Sequence, residues 1–306
     1  MAATPTPSSP SKALTFARRS ASTVFLWATV SGIFISRCSW AFLGLIGVLA
    51  IIATVEYFRM LRAAKVDCFP RFGMGMAVVY CASLHWFLLH GKPPHPDLDA
   101  FALFIVLAGS FTLQLRHPIC RVQPLLAVAA NVLGFIYIAV LFNFAARLLF
   151  IIPGGNEASG VIGESGAFLL LWLLAVTKFT DMGAYITGSM IGRHKMIPHV
   201  SPAKTWEGFG GALLFSQLAG IGLFLAFPSE LAAFGNIGHV IALGFILALL
   251  AVVGDLAESI VKRALDAKDS GRMLPGIGGS LDLIDSICFT APAMFFYLKW
   301  LLLPTA

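Results

Sequence analysis

Apolar runs of about twenty residues recur along most of this 306-residue chain, too many to fill the core of a soluble domain. A bilayer core needs about 20 apolar residues per helix, within a range of about 17–25. Runs of that kind lie near 20–36, 39–58, 72–90, 100–115, 124–143, 166–190, 208–227, 237–257 and 284–303. The composition agrees: 58% of residues are hydrophobic and 12% are charged, against roughly 45–50% and about 25% in soluble domains. The expected fold is an all-α polytopic membrane protein with about nine transmembrane helices.

The charges between the runs suggest an orientation. If the N-terminus is cytoplasmic, the groups Lys12–Arg19, Arg59–Arg71, Arg116–Arg121, Arg193–Lys204 and Lys262–Arg272 share the cytoplasmic side. They hold 16 of the 21 Lys and Arg residues. Arg37, Lys92, Arg147 and Lys299 fall on the other side, and Lys178 lies inside a run. That asymmetry is the positive-inside bias. It also accounts for the net charge of +6 without nucleic acid as a partner.

Residues 1–15 are rich in Ser, Pro, Thr and Ala, a composition expected to be disordered. Lys12, Arg18 and Arg19 then precede an apolar stretch with no small-residue cleavage site, so an uncleaved first span is expected. Five scattered cysteines carry neither CxxC spacing nor a neighbouring histidine ligand. They read as thiols in apolar surroundings, not as a zinc site or a disulfide framework.

The chain up to about residue 150 offers little chemistry. Gly44, Gly47, Gly73 and Gly75 suit close helix approach. Glu56 and His85, in or at the ends of spans, read as helix-contact residues. The second half differs. Lys178 and Asp181 are three apart on one helix face, and ionisable groups inside a span are functional candidates. Ser201-Pro202 reads as a helix start, which would put Lys204 and Glu207 on one face and Trp206 at the headgroup level.

The densest cluster runs from Asp255 to Asp285. On a helix continuing from the eighth span, Asp255, Glu258 or Ser259, Lys262 and Asp266 form one stripe. Pro275, Gly276, Gly278 and Gly279 then break the helix and can expose backbone N–H groups to an anion. Asp282 and Asp285 follow one turn apart. If the loop folds back, they converge with Asp255, and three converging carboxylates call for a hard cation such as Mg²⁺.

These residues resemble the CDP-diacylglycerol synthases (phosphatidate cytidylyltransferases). The family signature matches at Ser259, Lys262, Arg263, Lys268, Asp269, Pro275, Gly276, Gly278, Gly279, Asp282 and Asp285. Gly254-Asp255-Leu256, Glu258 and the string from Ser201 to Gly208 are similar to the family too, and Asp181 lies in a corresponding Thr-Asp element. The resemblance covers about 177–290; residues 1–150 match only in being hydrophobic. Two positions depart from it: Ile277 stands where the family has His, and Leu283 where it has Arg.

The resemblance implies transfer of the cytidylyl group of CTP to phosphatidic acid, giving CDP-diacylglycerol and pyrophosphate. It implies Asp255, Asp282 and Asp285 as Mg²⁺ ligands, with a second, monovalent cation as an open option. Lys262, Arg263 and Lys268 would hold nucleotide phosphates. Lys178 and Lys204 would hold the lipid phosphate. Asp181, Ser201, Glu207, Ser259, Asp269 and the glycines would line the substrates. Expected partners are CTP, phosphatidic acid and membrane lipids, with a homodimer as an option. The expected organisation is a basic tail (1–19), about five N-terminal transmembrane helices (20–165) and a catalytic region (166–306). Its site would lie at the cytoplasmic face of an inner, cytoplasmic membrane. The rival readings are a CTP-dependent polyprenol or dolichol kinase-like enzyme, which moves the γ-phosphoryl group, and a transporter.

Overall fold

A computed structural model describes residues 28–119, 121–152, 161–267, 269–271 and 278–303. The chain is a bundle of helices: α1 (28–36), α2 (Ser39–Ala63), α3 (Pro70–Leu89), α4 (Leu98–Gln114), α5 (Gln123–Gly134), α6 (Phe144–Leu149), α7 (Glu164–Ile191), α8 (Trp206–Ala226), α9 (Ile237–Ala264) and α10 (Ser280–Tyr297). A π-helical segment, Phe135–Val140, joins α5 towards α6, and a second, Leu298–Leu302, extends α10. Among the described residues, seven helices are long and apolar enough to cross a membrane, counting Gln123–Leu149 as one. The polytopic all-α expectation therefore holds. Of the nine expected spans, the fourth is a helix of only 17 residues, and residues 20–27 of the first lie outside the described residues, leaving the nine-residue α1.

Successive spans run in opposite directions, so their loops gather at two ends. At one end Phe69 packs beside His117 at 5.8 Å, Lys204 pairs with Asp255, and Gly271 lies against Glu56. At the other end Arg37 pairs with Glu164 at 2.5 Å and His239 meets Tyr297 at 2.9 Å. Asp99, at the start of α4, bonds Arg147 at 2.6 Å and Tyr80 at 2.7 Å.

Small residues decide which helices cross closely, as they do where packing rather than hydrophobic burial drives association. A Cβ at Gly183 of α7 would meet the carbonyl oxygen of Gly211 of α8 at 2.6 Å. A Cβ at Gly254 of α9 would meet Ser286 Cα of α10 at 2.8 Å. Trp172, buried between these helices, donates its indole N–H to the Gly220 carbonyl at 2.9 Å. Cys81 and Cys288 are buried and Cys38 and Cys68 half-buried; all four are free thiols, and Cys120 lies outside the described residues.

Two local expectations are corrected. Ser201–Thr205 is a strand (β2), not a helix start, and pairs antiparallel with Lys195–Ile197 (β1). Pro202 fits because an isolated two-stranded ribbon leaves an edge where its missing N–H costs nothing. The helix begins instead at Trp206, where Thr205 Oγ1 caps it by accepting the Gly208 N–H at 3.1 Å. Lys204 and Glu207 consequently do not share a helix face. The stripe beginning at Asp255 also stops short of Asp266. α9 ends at Ala264, and Asp266 adopts a φ of 50° beyond it.

Candidate active site

The close crossing at Gly254 sets the site. It lets α9 and α10 touch where Asp255 and Glu258 on one meet Asp285 on the other. Carboxylate oxygens of Asp255, Glu258 and Asp285 all lie within 4.8 Å of one another. Glu258 is 2% exposed and Asp285 5% exposed, whereas Asp255 reaches solvent. Ser286 Oγ donates to the Ala251 carbonyl at 3.2 Å, tying the two helices at the same level.

Cations surround the trio. Lys262 Nζ sits 2.7 Å from Glu258 Oε2, one helical turn away, and 2.9 Å from Asp282 Oδ1. Lys204 Nζ sits 2.9 Å from Asp255 Oδ2 and donates to the Val252 carbonyl at 3.2 Å. Lys178 is 3.7 Å from Asp181 and donates to the Leu283 carbonyl at 3.0 Å, so it reaches α10 from α7. The backbone of Leu283 thus serves the site, while its side chain packs on the apolar core.

Whether the trio fits a cation can be read from its donors. All its oxygens are acceptors when ionised. One of them, Glu258 Oε1, is buried and receives no N–H or O–H among the described residues, with the Asp282 carboxyl group beside Glu258. A buried acceptor left open among three converging carboxylates matches the chemistry of a hard divalent cation. Asp282 is arranged differently. Its Oδ1 is held by Lys262, and its Oδ2 accepts the Gly279 N–H at 3.2 Å, closing the first turn of α10.

The β1–β2 hairpin closes one side. Arg263 Nε approaches the Val200 carbonyl at 3.5 Å from the end of α9. Glu207 accepts the backbone N–H groups of Arg193, at 3.1 Å, and His194, and pairs with the His194 ring at 2.5 Å. It therefore fixes the hairpin's entry and stands apart from the trio. Between α7, the hairpin, α8 and α9 lies a cavity of about 460 Å³, with Asp181, Ser201, Lys204 and Asp255 in its wall. Tyr185 and Phe209 line it too, and Tyr185 is largely exposed.

Ser259 is half-buried on α9 and Asp269 is exposed on the loop beyond it. Gly278 adopts a φ of 118°, a backbone state that glycine favours, just before α10. Lys268 and Gly276 lie outside the described residues, as does Ile277.

One site neighbour was read from the sequence as a helix-contact residue, and the helix it meets is α10. Glu56 of α2 is 1% exposed, and its Oε2 accepts the backbone N–H of Leu281, in the first turn of α10, at 3.1 Å. Beside it, Ser280 Oγ donates to the Leu49 carbonyl at 3.0 Å. The sequence signal was an acidic residue in an apolar run, a functional candidate by default; what spacing could not name was its partner. Its partner is 225 residues away in the chain.

Fold and site together define a polytopic helical membrane protein with an acidic and basic cluster at one end of its bundle. The chain belongs to the cytidylyltransferase family, whose model matches residues 17–301. It is 36% identical over 207 residues to the uncharacterized protein YnbB of Escherichia coli (strain K12), covering 66% of this chain and 64% of that one. It is 41% identical over 128 residues to phosphatidate cytidylyltransferase of Staphylococcus aureus (strain COL), and 43% identical to that of Staphylococcus haemolyticus (strain JCSC1435). Each staphylococcal match covers 42% of this chain and 45% of the relative. The matched stretch is thus under two thirds of the length of each relative.

Proposed function

We propose that this protein is a phosphatidate cytidylyltransferase, converting CTP and phosphatidic acid to CDP-diacylglycerol and pyrophosphate. The observation that carries the reading is the trio Asp255, Glu258 and Asp285, ringed by Lys178, Lys204 and Lys262, beside a cavity at the end of an apolar bundle. The names of the staphylococcal relatives support the same reading.

In the reaction a lipid phosphate oxygen forms a bond to the α-phosphorus of CTP. The bond from that phosphorus to the β-bridging oxygen breaks, and pyrophosphate leaves with its electron pair. Transfers of this type need little covalent help, so the protein's share is positioning and charge neutralisation. Asp255, Glu258 and Asp285 would hold a divalent cation such as Mg²⁺, which supplies neutralisation and polarisation of the nucleotide phosphates. Lys204 lies in the cavity wall, as does Lys195, and with Lys178 it would orient the lipid phosphate. Lys262 and Arg263 would balance the leaving pyrophosphate. Asp282 keeps Lys262 aimed at the trio.

The proposed topology has nine crossings of the cell (inner, cytoplasmic) membrane, with the N-terminus in the cytoplasm. The site then faces soluble CTP while the lipid stays in its leaflet. The gathering at one end of the helix ends and loops bearing Arg59–Arg71, Arg193–Lys204 and Lys262 supports that orientation. The division into helices before and after residue 165 follows the same chemistry, since the trio and its lysines all lie after it.

The test supplies α-³²P- or γ-³²P-labelled CTP to membranes containing the protein, with phosphatidic acid and Mg²⁺. The α label should enter lipid and the γ label should leave in pyrophosphate. Entry of the γ label would establish a lipid kinase instead. Label in neither lipid would overturn the assignment.

A further inference from the structure

Tyr137 lies on the π-helical segment Phe135–Val140, in the half of the chain that otherwise carries little chemistry. π-helical turns inside longer helices are often found at functional sites. The Tyr137 ring packs against Phe289 of α10 with centroids 6.0 Å apart, one helical turn beyond Asp285. The side chain is only 5% exposed, and its hydroxyl has no hydrogen-bond partner among the described residues. The groups whose charge bears on the hydroxyl are Cys288, Asp285, Glu258 and Asp255.

The site therefore holds two unmatched buried groups. Glu258 Oε1 is an acceptor, and the Tyr137 hydroxyl is a donor that can also accept. They do not bond each other. Buried polar groups in native proteins are almost always paired, and an exception calls for an explanation such as a bound water or ion. An Mg²⁺ ion held by a few carboxylates keeps several of its waters. Groups that hydrogen-bond such a shell tune the affinity of the site.

We propose that Tyr137 is a positioning residue for the carboxylate trio, its hydroxyl hydrogen-bonding a water carried by the divalent cation held there. This rests on the proposed function only in taking the trio as a cation site. The N-terminal half thereby contributes a polar group to the chemistry of the C-terminal half.

The test compares Tyr137→Phe with the unaltered full chain in detergent micelles. Phenylalanine keeps the ring contact with Phe289 and removes only the hydroxyl. Mn²⁺ binding is titrated calorimetrically without nucleotide, and thermal unfolding is followed without metal. Mn²⁺ affinity should fall by about tenfold, the low end of what losing a hydrogen bond to the ligand shell costs, while the metal-free melting temperature stays level or rises. A hydroxyl that is merely idle leaves Mn²⁺ affinity unchanged, which would overturn the proposal. So would an unaltered chain that binds no Mn²⁺. Because no nucleotide or lipid is present, failure of the cytidylyl-transfer assignment registers separately, in the label experiment.

Discussion

Glu56 on α2 accepts the backbone N–H of Leu281 on α10 at 3.1 Å, so a carboxylate from the first half of the chain holds the helix start that carries Asp282 and Asp285. Leu281 is the second residue of α10, and its N–H is one of the four that a helix leaves without an internal partner. An acidic side chain there also suits the positive end of the helix dipole. Glu56→Ala should cost about 1.5–3 kcal/mol of stability, the range for a hydrogen bond to a charged group. Glu56→Gln keeps an acceptor and should retain most of it. Thermal unfolding in micelles checks the stability, and labelled CTP incorporation checks whether activity follows the same order.

Lys262 is shared between Glu258 and Asp282. Lys262→Met would leave Glu258, 2% exposed, as an uncompensated buried charge. Breaking a buried pair costs about 3–5 kcal/mol. The low end is expected, because Asp282 is 35% exposed and can regain water. Lys262→Met/Glu258→Gln, which removes both charges, should recover part of the lost stability without recovering activity. A double mutant no more stable than Lys262→Met would contradict this pairing.

The α9–α10 crossing should tolerate no side chain at Gly254. A Cβ there meets backbone, with Ser286 Cα at 2.8 Å and the Asp285 carbonyl oxygen at 2.9 Å, so the helices must move apart. Overpacking of this kind costs about 1–3 kcal/mol. It also separates Asp255 from Asp285. Gly254→Ala should lose activity, whereas Gly210→Ala, with nothing within 4 Å of its Cβ, should leave activity and stability near normal. Equal rates for the two variants would sink the argument.

Chelation should stop CTP-dependent lipid labelling, and added Mg²⁺ should restore it. Losing a group outside the ligand shell typically costs 10–100-fold in metal affinity. Removing a ligand should cost at least as much, so Glu258→Gln should raise the Mg²⁺ concentration for half-maximal rate by about tenfold or more. An unchanged Mg²⁺ dependence in Glu258→Gln would remove that residue from the trio.

Much of the site was legible because its parts are local. Glu258 and Lys262 are one helical turn apart, and so are Lys178 and Asp181; spacing alone places each pair on one face. The string from Ser201 to Gly208 was legible as chemistry but not as shape. Ser-Pro signals a helix start only if the chain then enters a helix at once. Here pairing with Lys195–Ile197 draws the strand out to Thr205. Glu207 consequently serves His194 and the hairpin, and Lys204 turns to Asp255.

The sequence by itself determined the class of this protein, because long apolar runs with few charges can be satisfied only by helices in a bilayer. It also showed that the charged residues cluster most densely in the second half of the chain, and which family they resemble. Tertiary structure decided which of those charges meet. Helix spacing cannot say that α9 and α10 cross at Gly254, so it could not choose Glu258 to join Asp255 and Asp285 while Asp282 turns to Lys262. Nor could it bring Glu56 and Tyr137 to α10, since periodicity reports the face a side chain takes and not the helix that face will meet.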